Sequence, residues 1–378
     1  MRNANNCNIE ESKILAIEKK INPLLEEWKE KEKKEIVKYN ELNDNVNLIN
    51  DFKFSNFASI TCINNISKTI GNLDITFMKS VAVYKIIRND EIFYEIAFPD
   101  NKNGFNIIIY NLLTNKIINK IDNAHKNKIH KIKHYYYSLA KIHILLSSSS
   151  DKSIKLWNIS SNPFTNILNI ENCFDGDNQS PFCLMFIKED YFILGGSRKV
   201  KKNIWDKKGV LKSSIEKSNI NYGRFIETTY IDNKPYVLLS GNYQSESYNF
   251  FDNDIKTYKS KNKTKEHLIV NLFKKNNTIY LISGDNGGNI IIFDFLSTDE
   301  IYTTSIGGII LSLCSINEKF ILIGNSNNEL RVFDFDKKSI IKNYQGHNSP
   351  IIGIEKIKTC EKDEYIITYD YDEIKMWK

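Results

Sequence analysis

A short apolar strand ending in an aromatic residue followed by Asp, Asn or Lys recurs along this chain. The copies read NIIIYN to Tyr110-Asn111, IKLWN to Trp157-Asn158, KKNIWD to Trp205-Asp206 and SYNFFD to Phe251-Asp252. They continue as NIIIFD to Phe293-Asp294, LRVFD to Phe333-Asp334 and IKMWK to Trp377-Lys378. Successive endings lie 47, 48, 46, 42, 40 and 44 residues apart. Seven copies at a near-constant period mark one supersecondary unit stacked on itself, so length is no guide to domain number here.

Each unit reads alike inside. An apolar run (YFILGG, YVLLSG, IYLISG, FILIGN, YIITYD) and a polar turn precede most of the endings, and a short strand such as KIINKI or SIIKNY follows most of them. Four short strands per unit of roughly 45 residues is the pattern of a propeller blade. Helical periodicity is absent from residue 51 onward. The expected fold is therefore an all-β, seven-bladed β-propeller over residues 51–378 with a short N-terminal α-helical extension over 1–50. The last unit ends at its third strand, which would leave an open sheet edge. The alternating segment FKFSNFASITCI (Phe52–Ile63) is the expected fourth strand that clasps the ring. Glycine is sparse, at 16 residues, but asparagine takes left-handed turn positions in its place.

From residue 51 to 378 the units resemble the WD-repeat propeller family. That resemblance implies a hydrogen-bonded lock in each well-formed blade: His from a loop, Ser or Thr from the second strand, Asp from the next turn, and Trp from the third strand. It assigns His125, Ser147, Asp151 and Trp157 in one blade. In the last blade it assigns His347, Thr368, Asp372 and Trp377, with a turn one residue short. A buried carboxylate requires such partners, because desolvation without hydrogen bonds is costly. Other blades depart from the pattern. Gly287 and Asn327 occupy the turn-Asp positions, and Phe293 and Phe333 replace Trp. The resemblance further implies a non-catalytic scaffold that docks other proteins.

The first fifty residues differ in kind. Asn8 with Glu11 resembles a helix cap and its reciprocal acid. Ile14, Ile17, Ile21, Leu24 and Trp28 form a heptad-like stripe, interrupted at Asn22-Pro23, where a second helix would begin. Such a coiled-coil-like stripe suits packing on the propeller, dimerisation or pairing with a partner helix. The order of helix then blades is similar to that of G-protein β-subunits.

The search for chemistry is mostly exclusion. SGDNGGN (Ser283–Asn289) lacks the Lys-Ser/Thr of a phosphate loop. The acidic triplets DGD, DND, DFD and DYD lack the Gly and the Glu of a calcium loop. His130 and His134, four residues apart on one strand, are too distant to share a zinc ion directly. No enzymatic activity, metal or cofactor is expected. The six cysteines show no paired spacing, the N-terminal residues lack a secretory pattern, and no apolar run reaches membrane-span length. A cytoplasmic location is expected, with the nucleus as the alternative.

Net charge is +6, and the basic residues cluster. Lys126 and Lys128, Arg198 and Lys199, and Lys259, Lys261, Lys263 and Lys265 fall in turns expected on one propeller face. They form a candidate anion or partner face. The alternative function is accordingly a propeller that binds RNA, a ribonucleoprotein, or acidic or phosphorylated peptides through this face.

Overall fold

The computed structural model describes residues 62–378, apart from 67–74, 76–79, 89–90, 138, 174–181, 188–189, 196–201, 216–217, 221–222, 233, 262–264 and 360–362. Residues 1–61, which include the expected helices and heptad stripe, lie outside the described residues.

Strand β1 (Cys62–Asn65) is followed by seven units. Blade 1 comprises β2 (Ala82–Arg88), β3 (Glu91–Asp100), β4 (Asn106–Asn111) and β5 (Lys116–Ile121). Blade 2 comprises β6 (Ile129–Tyr137), β7 (Ile142–Ser149), β8 (Ile154–Asn158) and β9 (Thr165–Ile170). Blade 3 comprises β10 (Phe182–Ile187), β11 (Asp190–Gly195), β12 (Lys202–Asp206) and β13 (Leu211–Ile215). Blade 4 comprises β14 (Gly223–Ile231), β15 (Lys234–Gly241), β16 (Gln244–Asn249) and β17 (Asp254–Lys259). Blade 5 comprises β18 (His267–Lys275), β19 (Thr278–Asp285), β20 (Asn289–Asp294) and β21 (Glu300–Ser305). Blade 6 comprises β22 (Ile310–Ser315), β23 (Phe320–Asn325), β24 (Glu329–Asp334) and β25 (Ser339–Gln345). Blade 7 comprises β26 (Gly353–Lys358), β27 (Glu364–Tyr369), β28 (Ile374–Trp377) and, from the other end of the chain, β1. All seven sheets are four-stranded and antiparallel, six of them meanders of consecutive strands, and the chain is a seven-bladed β-propeller.

The aromatic-Asx ending has a local cause. In five blades the Asx side chain accepts two backbone N–H groups of the turn into the outer strand. Asn111 takes Leu113 and Thr114; Asp206 takes Lys208 and Val210; Asn249 takes Phe251 and Asp252; Asp294 takes Leu296 and Ser297; Asp334 takes Asp336 and Lys337. Asn158 takes Ser160 in blade 2. The aromatic neighbour turns the other way, into the core: Tyr110, Phe293 and Phe333 are fully buried, and Trp157, Trp205 and Trp377 nearly so. In blade 4 this corrects the repeat register. Tyr248-Asn249 pairs with Val237 and Tyr236 as Trp157-Asn158 pairs with Leu145 and Ile144, whereas Phe251-Asp252 falls in the turn beyond. Asn249 is the residue that caps that turn, so it sets the register.

Left-handed turn positions are filled as expected. Among the described residues, eight of the fourteen non-glycine residues with positive φ are asparagines, including Asn115, Asn123, Asn242 and Asn328. Glycine is required for space at Gly353, where a Cβ atom would lie 1.8 Å from Tyr369 Cζ. The Tyr369 ring is fully buried and packs with Ile352, Ile367 and Ile374 in the core that joins blade 7 to blade 1.

Closure rests on β1, which runs antiparallel to β28 with Cys62 opposite Trp377 and Asn65 opposite Lys375. The clasp was expected over residues 52–63. The described strand occupies Cys62–Asn65, and residues 52–61 lie outside the described residues. Two side chains secure it: Asn65 Nδ2 donates to Glu373 Oε1 at 3.2 Å, and Asn64 Nδ2 donates to Asn115 Oδ1 of blade 1 at 2.6 Å. Ile66, immediately after the strand, is fully buried in the blade 7–blade 1 core.

Deleting residues 1–50 should therefore leave a monomeric, cooperatively melting ring. Deleting residues 1–66 should open the β28 edge and remove the Ile66 anchor, giving aggregation or a strongly lowered melting temperature. Size-exclusion chromatography and thermal melts of both truncations provide the check.

Candidate functional site

In blades 2, 5 and 6 the entry loop and the turn between second and third strands are bonded together on one face. In blade 5, Glu266 N donates to Asn286 Oδ1 at 3.0 Å and Asn286 N donates to Glu266 O at 3.0 Å. Ser150 N donates to Lys128 O in blade 2, and Ser326 N donates to Ile309 O in blade 6. This loop face carries the sequence-assigned locks and the described basic candidates Lys126, Lys128, Lys259, Lys261 and Lys265.

In blade 2, Trp157 Nε1 donates to Ser147 Oγ at 2.9 Å, and Ser147 Oγ lies 2.8 Å from His125 Nε2. His125 Nδ1 lies 3.0 Å from Asp151 Oδ2, which also accepts Lys126 N at 2.9 Å. Ser153 Oγ donates to Asp151 Oδ1 at 2.6 Å. The donors and acceptors assign one direction: Trp N–H to Ser, Ser O–H to His Nε2, His Nδ1–H to Asp. A neutral imidazole fits this order, and burial lowers the His125 pKa against the opposing pull of Asp151. Burial pushes the Asp151 carboxyl up, but the His125, Ser153 and Lys126 hydrogen bonds outweigh it and hold the carboxyl well below its usual range.

Blade 7 builds the same chain from different spacing. Trp377 Nε1 donates to Thr368 Oγ1 at 2.7 Å, Thr368 Oγ1 lies 2.7 Å from His347 Nε2, and His347 Nδ1 lies 3.0 Å from Asp370 Oδ2. Here the sequence assignment of Asp372 is corrected. Asp372 is exposed and only its backbone N–H takes part, donating to Asp370 Oδ1 at 2.8 Å. Glu373 N donates to the same oxygen. Asp370 thus caps its own turn with one oxygen and holds His347 with the other.

The same two-residue shift explains the blades that lack a turn Asp. The capping residue sits at the end of the second strand, not inside the turn. Asp285 accepts the N–H groups of Gly287 and Asn289, and Asn325 accepts those of Asn327 and Glu329. In blade 1, Asp100 accepts Asn103 N at 3.2 Å and Asn106 Nδ2 at 3.4 Å.

A further contact escaped sequence reading. The residue two before the third-strand aromatic reaches back to the entry loop. Lys155 Nζ donates to Ala124 O at 2.7 Å, Lys375 to Gly346 O, and Arg331 to the carbonyls of Ile306 and Gly307. Blade 4 inverts the polarity: buried Glu246 accepts Asn219 N at 3.0 Å and Ser218 Oγ at 2.6 Å. The signal available in sequence was a charged residue two before the aromatic in four of the seven units, Lys155, Glu246, Arg331 and Lys375.

A Ser–His–Asp order is also that of a hydrolytic triad. In this fold Ser147 is fully buried, and its oxygen already accepts the Trp157 N–H. His347, Asp370 and Glu373 bring ligand-type atoms within 4.8 Å of one another. Both His347 nitrogens are engaged by Asp370 and Thr368, and Glu373 by Asn65 and Lys375.

The basic candidates divide. Lys126 and Lys128 are exposed beside the His125–Asp151 lock. Lys259, Lys261 and Lys265 are exposed at the entrance to blade 5, with Lys261 N donating to Glu300 Oε2 at 2.6 Å and the Lys265 stem against Gly287. These two groups share the loop face but stand three blades apart. Arg198, Lys199 and Lys263 lie outside the described residues. Toward the axis, Lys131 Nζ donates to Ile226 O at 3.0 Å and Lys133 pairs with Glu227 at 2.7 Å, joining blades 2 and 4 past the inner strand of blade 3.

His134 Nε2 lies 3.0 Å from His143 Nδ1, and His134 stacks on Tyr84 at 4.3 Å. Burial and the Arg88 charge lower the pKa of His143 to about 3, and burial, His143 and Arg88 hold His134 well below its ordinary value. His267, 2.9 Å from Ser245 Oγ through Nδ1, is lowered by burial to about 4.

No family model and no curated protein matches the chain.

Two predictions arise from this geometry. Asp370→Ala should cost ~2–4 kcal/mol in urea unfolding, because His347 and two turn N–H groups lose their acceptor. Asp372→Ala should change stability by ~0.5 kcal/mol or less. Equal losses would remove Asp370 from the lock. Separately, buried neutral histidines have folded pKa values below their unfolded value of about 6.5, so the unfolded state binds more protons as pH falls. Stability should be complete above that value and decline below it, with His267 contributing on the order of 3 kcal/mol down to about pH 4. Unfolding measured from neutral to acidic pH should show this slope, and His267→Gln should flatten it.

Proposed function

We propose that this propeller is a non-catalytic, WD-repeat-type scaffold that assembles other proteins on its loop face. One observation carries the reading: the Ser/Thr–His–Asp chains are buried and consumed in holding entry loops, so rigidly held loops are what the ring presents outward. Loops on a rigid frame make binding sites. The WD-type reading is supported by the His125–Ser147–Asp151–Trp157 and His347–Thr368–Asp370–Trp377 chains. A cytoplasmic or nuclear setting suits cysteines without paired spacing. No helix among the described residues is long and apolar enough to cross a membrane.

Exposed Lys126, Lys128, Lys259, Lys261 and Lys265 support a second reading, an anionic partner such as RNA or an acidic or phosphorylated peptide. Affinity purification of the full chain with and without nuclease separates the two readings. A scaffold should retain a defined protein set after nuclease and at moderate salt. Lys126→Glu with Lys128→Glu should leave stability within ~0.5 kcal/mol and displace part of that set, whereas Lys116→Glu on the outer strand should not. Capture that vanishes with nuclease or salt would favour the anionic reading. A serine-directed phosphonate probe should leave Ser147 unlabelled in the folded protein; labelling there would overturn the non-catalytic assignment.

A further inference from the structure

The sequence contains two Asn-Gly pairs, Asn103-Gly104 and Asn286-Gly287. Both fall in the turn between second and third strands, in blades 1 and 5, so the fold offers two copies of one reactive dipeptide in two different restraints. Asn-Gly is the pair in which the following backbone nitrogen meets least steric hindrance in reaching the Asn carboxamide carbon, because glycine has no side chain and turns freely.

In blade 5 both reacting groups are held. Gly287 N donates to Asp285 Oδ1 at 2.8 Å, and the Asn286 carboxamide oxygen accepts Glu266 N at 3.0 Å. Asn286 N is also tied to Glu266 O. In blade 1 they are not. Asn103 and Gly104 are both exposed, and the Gly104 N–H makes no hydrogen bond among the described residues. Gly104 has φ +105°, with no atom nearer than 3.5 Å to the place of a Cβ. The Asn103 carboxamide is held only through its nitrogen, 3.1 Å from Asp100 Oδ1.

We propose that Asn103 is a site of spontaneous deamidation, selected over Asn286 by the fold. Gly104 N loses its proton to solvent base and attacks Asn103 Cγ. The new C–N bond closes a five-membered imide, the Cγ–Nδ2 bond breaks, and ammonia leaves. Water then opens the imide at either carbonyl, giving an aspartyl or isoaspartyl residue; nothing is oxidised or reduced. The product replaces a donor to Asp100 with a second carboxylate, so attraction becomes repulsion. The disturbance has a path into blade 2. Asn103 O accepts Asn106 Nδ2 at 2.6 Å, Asn106 Oδ1 accepts Asn123 N at 2.9 Å, and Phe105 O accepts His125 N at 3.3 Å. Ageing at Asn103 therefore loosens the loop that carries the blade 2 lock.

The full chain is incubated folded, in warm, mildly alkaline heavy-oxygen water, and mapped by peptide mass spectrometry. A parallel sample is incubated unfolded in urea. In the folded protein, label should enter at Asn103 at least about tenfold faster than at Asn286, a difference of about 1.4 kcal/mol. In urea the two sites should react at similar rates. Asn103→Gln should abolish the main product and keep the melting temperature of the aged protein at its starting value. Equal rates at the two sites in the folded protein would overturn the proposal. So would the same preference for Asn103 in urea, since local sequence would then explain it.

Discussion

A ring of seven sheets has no free ends only if the first and last blades share chain. Among the described residues that sharing falls to Cys62–Asn65, paired along β28 and followed by buried Ile66. The remaining blades are local meanders that complete themselves with neighbouring sequence. Blade 7 alone draws its outer strand from the opposite end of the molecule, a pairing of large sequence separation whose loop-closure entropy must be repaid by few contacts. Its edge is accordingly reinforced with side-chain bonds to Glu373 and to blade 1, and with the Tyr369–Gly353 packing at the same junction.

Backbone N–H groups at the blade turns need acceptors, and the chain supplies Asx oxygens at the outer turns of blades 1 to 6 and at the loop-face turns of blades 1, 2, 5, 6 and 7. The turn into the outer strand is capped by the residue after the core aromatic. The turn on the loop face is capped by Asp100, Asp285, Asn325 or Asp370 at the end of the second strand, and by Asp151 within the turn in blade 2. Where a histidine is present, the same carboxylate also holds the entry loop. From the third strand a cation in blades 2, 6 and 7, and Glu246 in blade 4, also holds the entry loop. Two chemistries thus solve one mechanical problem, the fixing of loops that would otherwise move.

This division bears on function. The Ser/Thr–His–Asp groups are turned inward, and the loop face presents lysines and backbone turns, several of them held in place from below. The link between Lys131, Lys133 and blade 4 across the inner wall adds stiffness near the axis. Such a surface is suited to recognition by shape and charge.

The seven-fold repeat, the all-β fold, the composition of the blade 2 lock and the need for a clasp were legible in the order of residues, because apolar alternation and period are local properties that packing merely obeys. Asparagine at left-handed turns was legible for the same reason. Register was not. Phe251-Asp252 and Asp372 both look right by spacing, but hydrogen bonding selected Tyr248-Asn249 and Asp370, since a turn N–H bonds whichever Asx the strand pairing brings beneath it. The reach of Lys155, Arg331, Lys375 and Glu246 to loops some 25 to 31 residues earlier, and the contrast between two identical Asn-Gly pairs, came only from tertiary structure. Local sequence settles which conformations are cheap. Which donor meets which acceptor is decided by neighbours that are distant along the chain.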